Sequence, residues 1–417
     1  MRKYLYIFFL FTALTATAQK TVSPKKAYKP VRTALKAGKA TDALTAINKL
    51  AADSVYCGDP KLYAYGIDAE QLLCESYNEK MYLSQKIDTA QFFAANYELC
   101  RFILRCDTAE LKNAATQGRT GTDASPLPYR RQNRHLLQQY YPNLSAAARF
   151  HYAKRQYAEA RRYFAYVFGL PRHAIWGGDT AVTQTKTYHE NRYLDFRCMY
   201  ELKQYADMPA CAAPLLADSA LHQSVLDMLV TAARERGDSA DYIRLVRQGL
   251  DEQPGRMEYF AVLANYFTAR GLYGETVAMT DTLLVRDPMN RYYLLSRCLA
   301  LFDMGRLDDS KVAAERLLSV DSTAAEAHYI LGYYYFQQAE AVELPRQTRS
   351  ALYRSAKQRQ ADLYAEARPH VEQFRQAMPE EQERWAPMLY KIYLNLNLGR
   401  EFEEIERLIG GLPLPPA

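Results

Sequence analysis

Four short signatures of common catalytic chemistries are missing from these 417 residues. The chain has no glycine-rich phosphate loop, no His-Glu-x-x-His to offer two imidazoles to zinc, no Cys-x-x-Cys and no Gly-x-Ser-x-Gly nucleophile elbow. The seven histidines are scattered, so neither a metal nor a cofactor is expected. No apolar stretch reaches the roughly 20 residues that cross a bilayer as a helix. Lysine and arginine alternate with aspartate and glutamate instead of gathering in one stripe, and the formal net charge is only +6. That distribution argues against a face built to grip nucleic-acid phosphates. Alternating apolar and polar residues are scarce, which argues against a sheet protein.

The first cysteine is Cys57, so no lipid-bearing cysteine lies near the start. Arg2 and Lys3, the apolar stretch Tyr4 to Leu14 and the small residues Ala16-Thr17-Ala18 read as a secretory signal peptide over 1–18, leaving Gln19 as the mature start. The mature chain is therefore expected to be exported and to have no membrane span. An oxidising compartment permits disulfides. The cysteines number seven, an odd count, and most lie in apolar helical stretches, where the residue serves as a small buried hydrophobe.

What is present is a period. Gly237, Gly271 and Gly305 recur at one interval, and Pro254 and Pro288 keep it, with Ser322 in the next proline's place. The same glycine-to-proline step runs from Gly399 to Pro416 and, less cleanly, from Gly38 to Val55. Between these marks apolar residues recur at helical spacing: Leu226, Leu229 and Val230, then Phe260, Leu263 and Ala264, then Leu294, Cys298 and Leu301. Each unit is thus a pair of short helices. The glycine takes positive φ at the turn, and the proline closes the pair because it cannot continue a helix.

A unit of this length and form resembles the tetratricopeptide repeat, whose helix pairs bury their apolar faces only by stacking. Ala264, Cys298 and Gly332 fill the family's small position in the first helix, Val230 fills it loosely, and Leu263 and Leu331 match the large one before it. Arg297, Thr276 and Ser310 depart from the pattern. The resemblance implies an all-α fold, a right-handed superhelical solenoid of antiparallel helix pairs with an irregular middle segment. The segment from Pro126 to Leu144 and the following YAKRQYAEARRYF resemble exported tetratricopeptide proteins of Bacteroidetes, to which no activity is attached; the signal ending in small residues before Gln19 resembles those of exported Bacteroidetes proteins, which implies a periplasmic location.

Six segments follow. After the signal peptide 1–18 come an N-terminal helical segment 19–106, a linker 107–130 and a degenerate segment 131–222 with a long loop from Pro171 to Thr187. Three regular units occupy 223–322. An interrupted unit and a capping unit fill 323–417, the interruption being a helical insertion whose second helix ends at Pro379, later than the period predicts.

The resemblance places a concave groove on the first helices. Asp227, Thr231, Arg234, Asn265, Tyr292, Leu299, Tyr329, Tyr333 and Phe336 are its projected lining, and tyrosine and arginine suit such a face because they join rigid area to a polar tip. Asn265 matches one position of the family's carboxylate clamp, but Ala261, Ser296 and Ile330 fail the others. The expected role is a non-catalytic scaffold holding a protein or peptide partner. The alternatives are a glycan-binding protein of the SusD type, stacking sugars on aromatics, and an enzyme whose site lies in 107–222. That enzyme would need His189, Glu190, Asp195 and His151 around one pocket. Arg130, Arg131 and Arg134 are a further candidate, for an acidic partner.

Overall fold

The computed structural model describes residues 24–117 and 127–409. The signal peptide, the tail after Gly411 and most of the Thr116–Pro128 stretch lie outside the described residues. Within the described residues every regular element is a helix, and none is long and apolar enough to cross a membrane. The chain forms two compact units divided between Arg236 and Gly237, inside what the period treats as one repeat.

The first unit holds α1 (Pro24–Ala27), α2 (Lys29–Lys36), α3 (Ala40–Ala51), α4 (Pro60–Tyr82), α5 (Thr89–Thr116), α6 (Arg130–Ala153), α7 (Tyr157–Gly169), α8 (Lys186–Glu201), α9 (Met208–Leu216) and α10 (His222–Glu235). From α2 onward each helix packs on the next in sequence, and α2 also touches α4, as α6 touches α8. This is nearest-neighbour stacking, in which each hairpin completes the core of the one before. Leu62, Leu99, Leu137, Leu144 and Phe164 are fully buried along this stack.

Two expectations are corrected here. The linker over 107–130 begins as helix, because α5 runs on to Thr116 with Asp107, Ala109 and Glu110 turned into the core. The Pro171–Thr187 loop is built of three tight 3-10 turns, and Ile175 and Trp176 from it are buried. The Trp176 ring meets Tyr141 at 5.1 Å, and Arg134 Nε donates to the Ile175 carbonyl at 2.7 Å.

The second unit holds α11 (Ser239–Glu252), α12 (Met257–Thr268), α13 (Tyr273–Arg286), α14 (Arg291–Asp303), α15 (Leu307–Val320), α16 (Ala325–Glu340), α17 (Ala351–Ala377), α18 (Gln382–Asn395) and α19 (Gly399–Ile409). Consecutive helices pack again, and the first helices α14, α16 and α18 also touch in turn. The insertion falls mainly on the second helix: α17 has 27 residues where α15 has 14. Gln253, Asp287, Asp321 and Met378 end their helices with the same extended backbone, φ between −129° and −136°. Met378-Pro379 therefore closes the delayed unit as Asp287-Pro288 closes a regular one.

The turn inside most pairs has one geometry, the long α16–α17 connection excepted. At Gly271 the N–H bonds the Thr268 carbonyl and the next N–H reaches back to Phe267; Gly305 repeats this with Phe302 and Leu301. This is the Schellman arrangement, which requires positive φ at its central residue. Gly237, Gly271 and Gly305 have φ of 71°, 67° and 72°. The same bonds recur around Ser84, Arg155, Lys203 and Asn397, all with φ near +56°. At the last pair the left-handed residue is thus Asn397, and Gly399 is the first residue of α19. The seven cysteines are free, with Cys57 and Cys211 exposed and the other five buried.

Candidate partner-binding face

The first helices of the second unit carry the densest aromatic surface among the predicted residues. Asn290 caps α14, its side chain accepting from the amides of Tyr292 and Tyr293, and this sets the helix start that leaves Tyr292 half exposed at 50%. On α16, Tyr329, Tyr333 and Phe336 fall at i, i+4 and i+7, one face of a helix. The structure gives them different depths. Phe336 is buried against Tyr364 at 6.0 Å and serves the core. Tyr329 and Tyr333 are half-buried in a ring cluster with Phe302 of α14, at 5.8 and 5.2 Å. Phe374 of α17 closes it, 5.0 Å from Tyr329.

Arg384 of α18 lies over this cluster, 3.9 Å from the Tyr329 ring and 4.7 Å from Phe374. Its guanidinium forks onto Glu326, at 3.0 and 2.6 Å, a bidentate pairing that fixes the planar group. Burial pushes the Tyr329 hydroxyl above its ordinary pKa against the opposing pull of Arg384, and Glu326 raises that of Arg384. The face is therefore a braced aromatic floor with one charge already satisfied. Beside it opens a hollow of about 160 Å³ lined by Tyr292, Leu295, Leu317, Asp321, Glu326 and Met378 among others. Arg291 pairs with Asp321 at 3.3 Å and sits 4.9 Å from the Tyr292 ring.

The other projected residues fall elsewhere. Leu299 is half-buried and Asn265 is exposed on α12. Asp227, Thr231 and Arg234 share α10 in the first unit. There Gln223 donates to Asp227 at 2.9 Å, Thr231 bonds its own helix at the Asp227 carbonyl, and Arg234 meets Glu235 at 3.4 Å. The structure thus brings Tyr292, Tyr329 and Tyr333 around one region. Sequence reasoning missed Phe302, Glu326, Phe374 and Arg384. The last two follow the insertion, where the period no longer assigns a register; the signal that could have placed them is Pro379, which restarts it.

The proton-relay set does not converge. His189 and Glu190 line one hollow and Asp195 lines another. His151 lines neither; it bonds Gln156 at 2.7 Å and stacks on Tyr163 at 5.3 Å. Glu190 is held by Arg149 at 2.7 Å and Asp195 by Arg161 at 3.1 Å. Two of the three clustered arginines are likewise occupied internally. Arg130 faces the buried Asp107 at 3.2 Å, and Arg134 holds the Ile175 turn, while Arg131 is exposed. Burial raises the pKa of Asp107 and Arg130 opposes it. Among the described residues no group of three or more His, Cys, Asp or Glu is arranged to hold a metal ion.

No family model matches the chain, and no curated protein matches it. Among solved structures, similarity extends to the MamA protein, with 16% identity over 47% of this chain and 97% of that one, TM-score 0.32. It extends also to a tetratricopeptide repeat protein from Parabacteroides merdae, with 14% identity over 70% and 99%, TM-score 0.23. A third is a monomeric IFIT1 mutant solved with Gppp-AAAA, with 14% identity over 84% and 70%, TM-score 0.31.

Proposed function

We propose that this chain is an exported, non-catalytic scaffold that holds a segment of a partner protein along the first helices of its second unit. The observation that carries this reading is the half-exposed Tyr292 standing over its hollow, beside the floor braced by Arg384 and Glu326. Rigid aromatics next to a small pocket bind with little loss of side-chain entropy, which is why tyrosine is frequent among interface hot spots. The interspersed charges favour a protein segment over a nucleic acid, and the start of the sequence supports a periplasmic site of action after cleavage before Gln19.

Pull-down with the mature protein from an envelope fraction, followed by mass spectrometry, tests the proposal. One stoichiometric protein partner is expected, with recovery falling roughly tenfold for Tyr292→Ala, the loss of about 1.4 kcal/mol that marks a hot-spot residue. Capture of polysaccharide alone would support the SusD-like alternative instead. Undiminished recovery by both Tyr292→Ala and Tyr333→Ala would remove the groove from the account. N-terminal sequencing of the exported protein checks the cleavage site.

A further inference from the structure

A hollow of about 610 Å³ in the first unit lies against α6, α8 and α9 and has no part in the function proposed above. Leu194, Pro214, Leu215, Ala217, Ala220 and Leu221 give it an aliphatic stretch, and Arg149, Lys186, His189, Glu190, Arg192, Tyr193 and Asp218 complete its lining. A second hollow of about 290 Å³ shares Arg192 and Pro214 with it and is bordered also by Arg172 and Cys211. The larger volume falls in the roughly 300–1000 Å³ range of small-molecule sites.

The polar groups around these walls divide into satisfied and waiting. Glu190 is held by Arg149, Asp195 by Arg161, and Asp218 accepts from the Ala220 amide at 2.9 Å. The Tyr193 hydroxyl shares a hydrogen bond with Ser224 at 3.1 Å. Lys186 and His189 stand at the solvent edge. Arg192, stacked 5.1 Å from the Tyr188 ring, and the exposed Arg172 have no carboxylate partner among the described residues. The larger hollow thus has an aliphatic stretch edged by polar groups most of which are already committed, while the uncommitted Arg192 borders both hollows and Arg172 the smaller.

We propose that these two adjoining hollows bind an acyl chain ending in a single anion, such as a long-chain fatty acid. The chain lies along Leu194, Leu215 and Leu221, and the anionic end occupies the smaller hollow at Arg192 and Arg172. A buried peptide segment fits less well, because its many amide groups need partners and Glu190, Tyr193 and Asp218 are already engaged within the protein. An acyl chain has no such groups, and its one anion meets charge-assisted donors.

Cys211 borders the smaller hollow, and Cys57, also exposed and free, does not. Myristate added to the mature protein is expected to slow maleimide labelling of Cys211 saturably while Cys57 labels at an unchanged rate. Arg192→Gln combined with Arg172→Gln should weaken that protection about tenfold or more, the worth of a hydrogen bond to a charged group, and should leave protection by neutral glyceryl monomyristate nearly unchanged. Ala217→Trp, at an exposed wall position, should abolish both; circular dichroism confirms its fold. Myristoyl lysophosphatidylglycerol, run in parallel, separates a free acid from a lysolipid as the source, since the tighter of the two identifies it. Failure of both anions to protect Cys211, or equal affinity in the double arginine variant, overturns the assignment.

Discussion

Arg155 and Lys203 hold φ of 58° and 56°, a left-handed conformation that costs a side chain with a Cβ roughly 1 kcal/mol and costs glycine little. Both are exposed, so little packing opposes a change. Arg155→Gly and Lys203→Gly are each expected to raise stability by about 0.5–1 kcal/mol in urea unfolding, while Gly271→Ala lowers it by about 1 kcal/mol; a fall on either glycine substitution would count against the turn assignment. Glu70 gives a second prediction. Its carboxyl is 5% exposed with one oxygen unpartnered, and burial, reinforced by Glu98, pushes its pKa up to about 8. A carboxyl raised on folding binds its proton more tightly in the folded state. Its contribution is therefore complete below the unfolded value of 4.5 and is lost as pH rises toward 8. Glu70→Gln keeps the shape without the charge, so it should stabilise the chain more at pH 8 than at pH 5, and equal gains at both would refute the shift.

The tightest helix contact that the period foretold lies between α16 and α17. A Cβ on Gly332 would stand 2.6 Å from Val371 Cγ2 and 3.3 Å from the Val371 backbone nitrogen, closer than side chains tolerate. Gly332→Ala should therefore cost about 1–3 kcal/mol, with Val371→Ala in the same chain recovering part of it. The same pair of helices carries a pH response. His328 Nε2 lies 3.1 Å from the Ser322 carbonyl and must donate to it, so its Nδ1 accepts from His370 Nδ1 at 3.0 Å. Burial and then His328 lower the pKa of His370 below 6.5, against Glu366 of α17 and Glu315 of α15, which raise it. A histidine kept neutral by folding contributes fully above the unfolded value near 6.5, and the contribution drains away as pH falls below it. Thermal melts between pH 7.5 and 5 should show this loss in the native chain and less of it in His370→Gln. Much of this level was legible in the sequence. Gly271, Gly305 and the proline marks expose the pairs because glycine and proline advertise their backbone. Ser84, Arg155, Lys203 and Asn397 adopt the same turn without advertising it, so those turns stayed hidden, although Lys203 keeps the interval to Gly237. Of the proposed face, Tyr292, Tyr329 and Tyr333 were projected from the family resemblance; Arg384 and Phe374 were not, because contacts across the insertion depend on its length in space.

At the scale of the whole molecule, contacts inside each of the two units run from each helix to the next and rarely beyond the one after, which makes stability there a sum of local interfaces instead of one shared core. The buried residues reflect this. Phe374, Trp385, Leu389, Ile392 and Ile405 form one cluster through α16 to α19, and Ile47, Leu99, Leu144 and Phe164 belong to another in the first unit. Damage should therefore stay where it is made. Ile392 is fully buried, and Ile392→Ala is expected to remove about 2–5 kcal/mol from its surroundings. Hydrogen exchange followed by mass spectrometry should find faster exchange in α16 to α19, with amides of α4 to α8 exchanging as in the unaltered chain. A uniform loss of protection from α4 to α19 would mean that the chain opens as a single cooperative body and that nearest-neighbour stacking does not govern its stability.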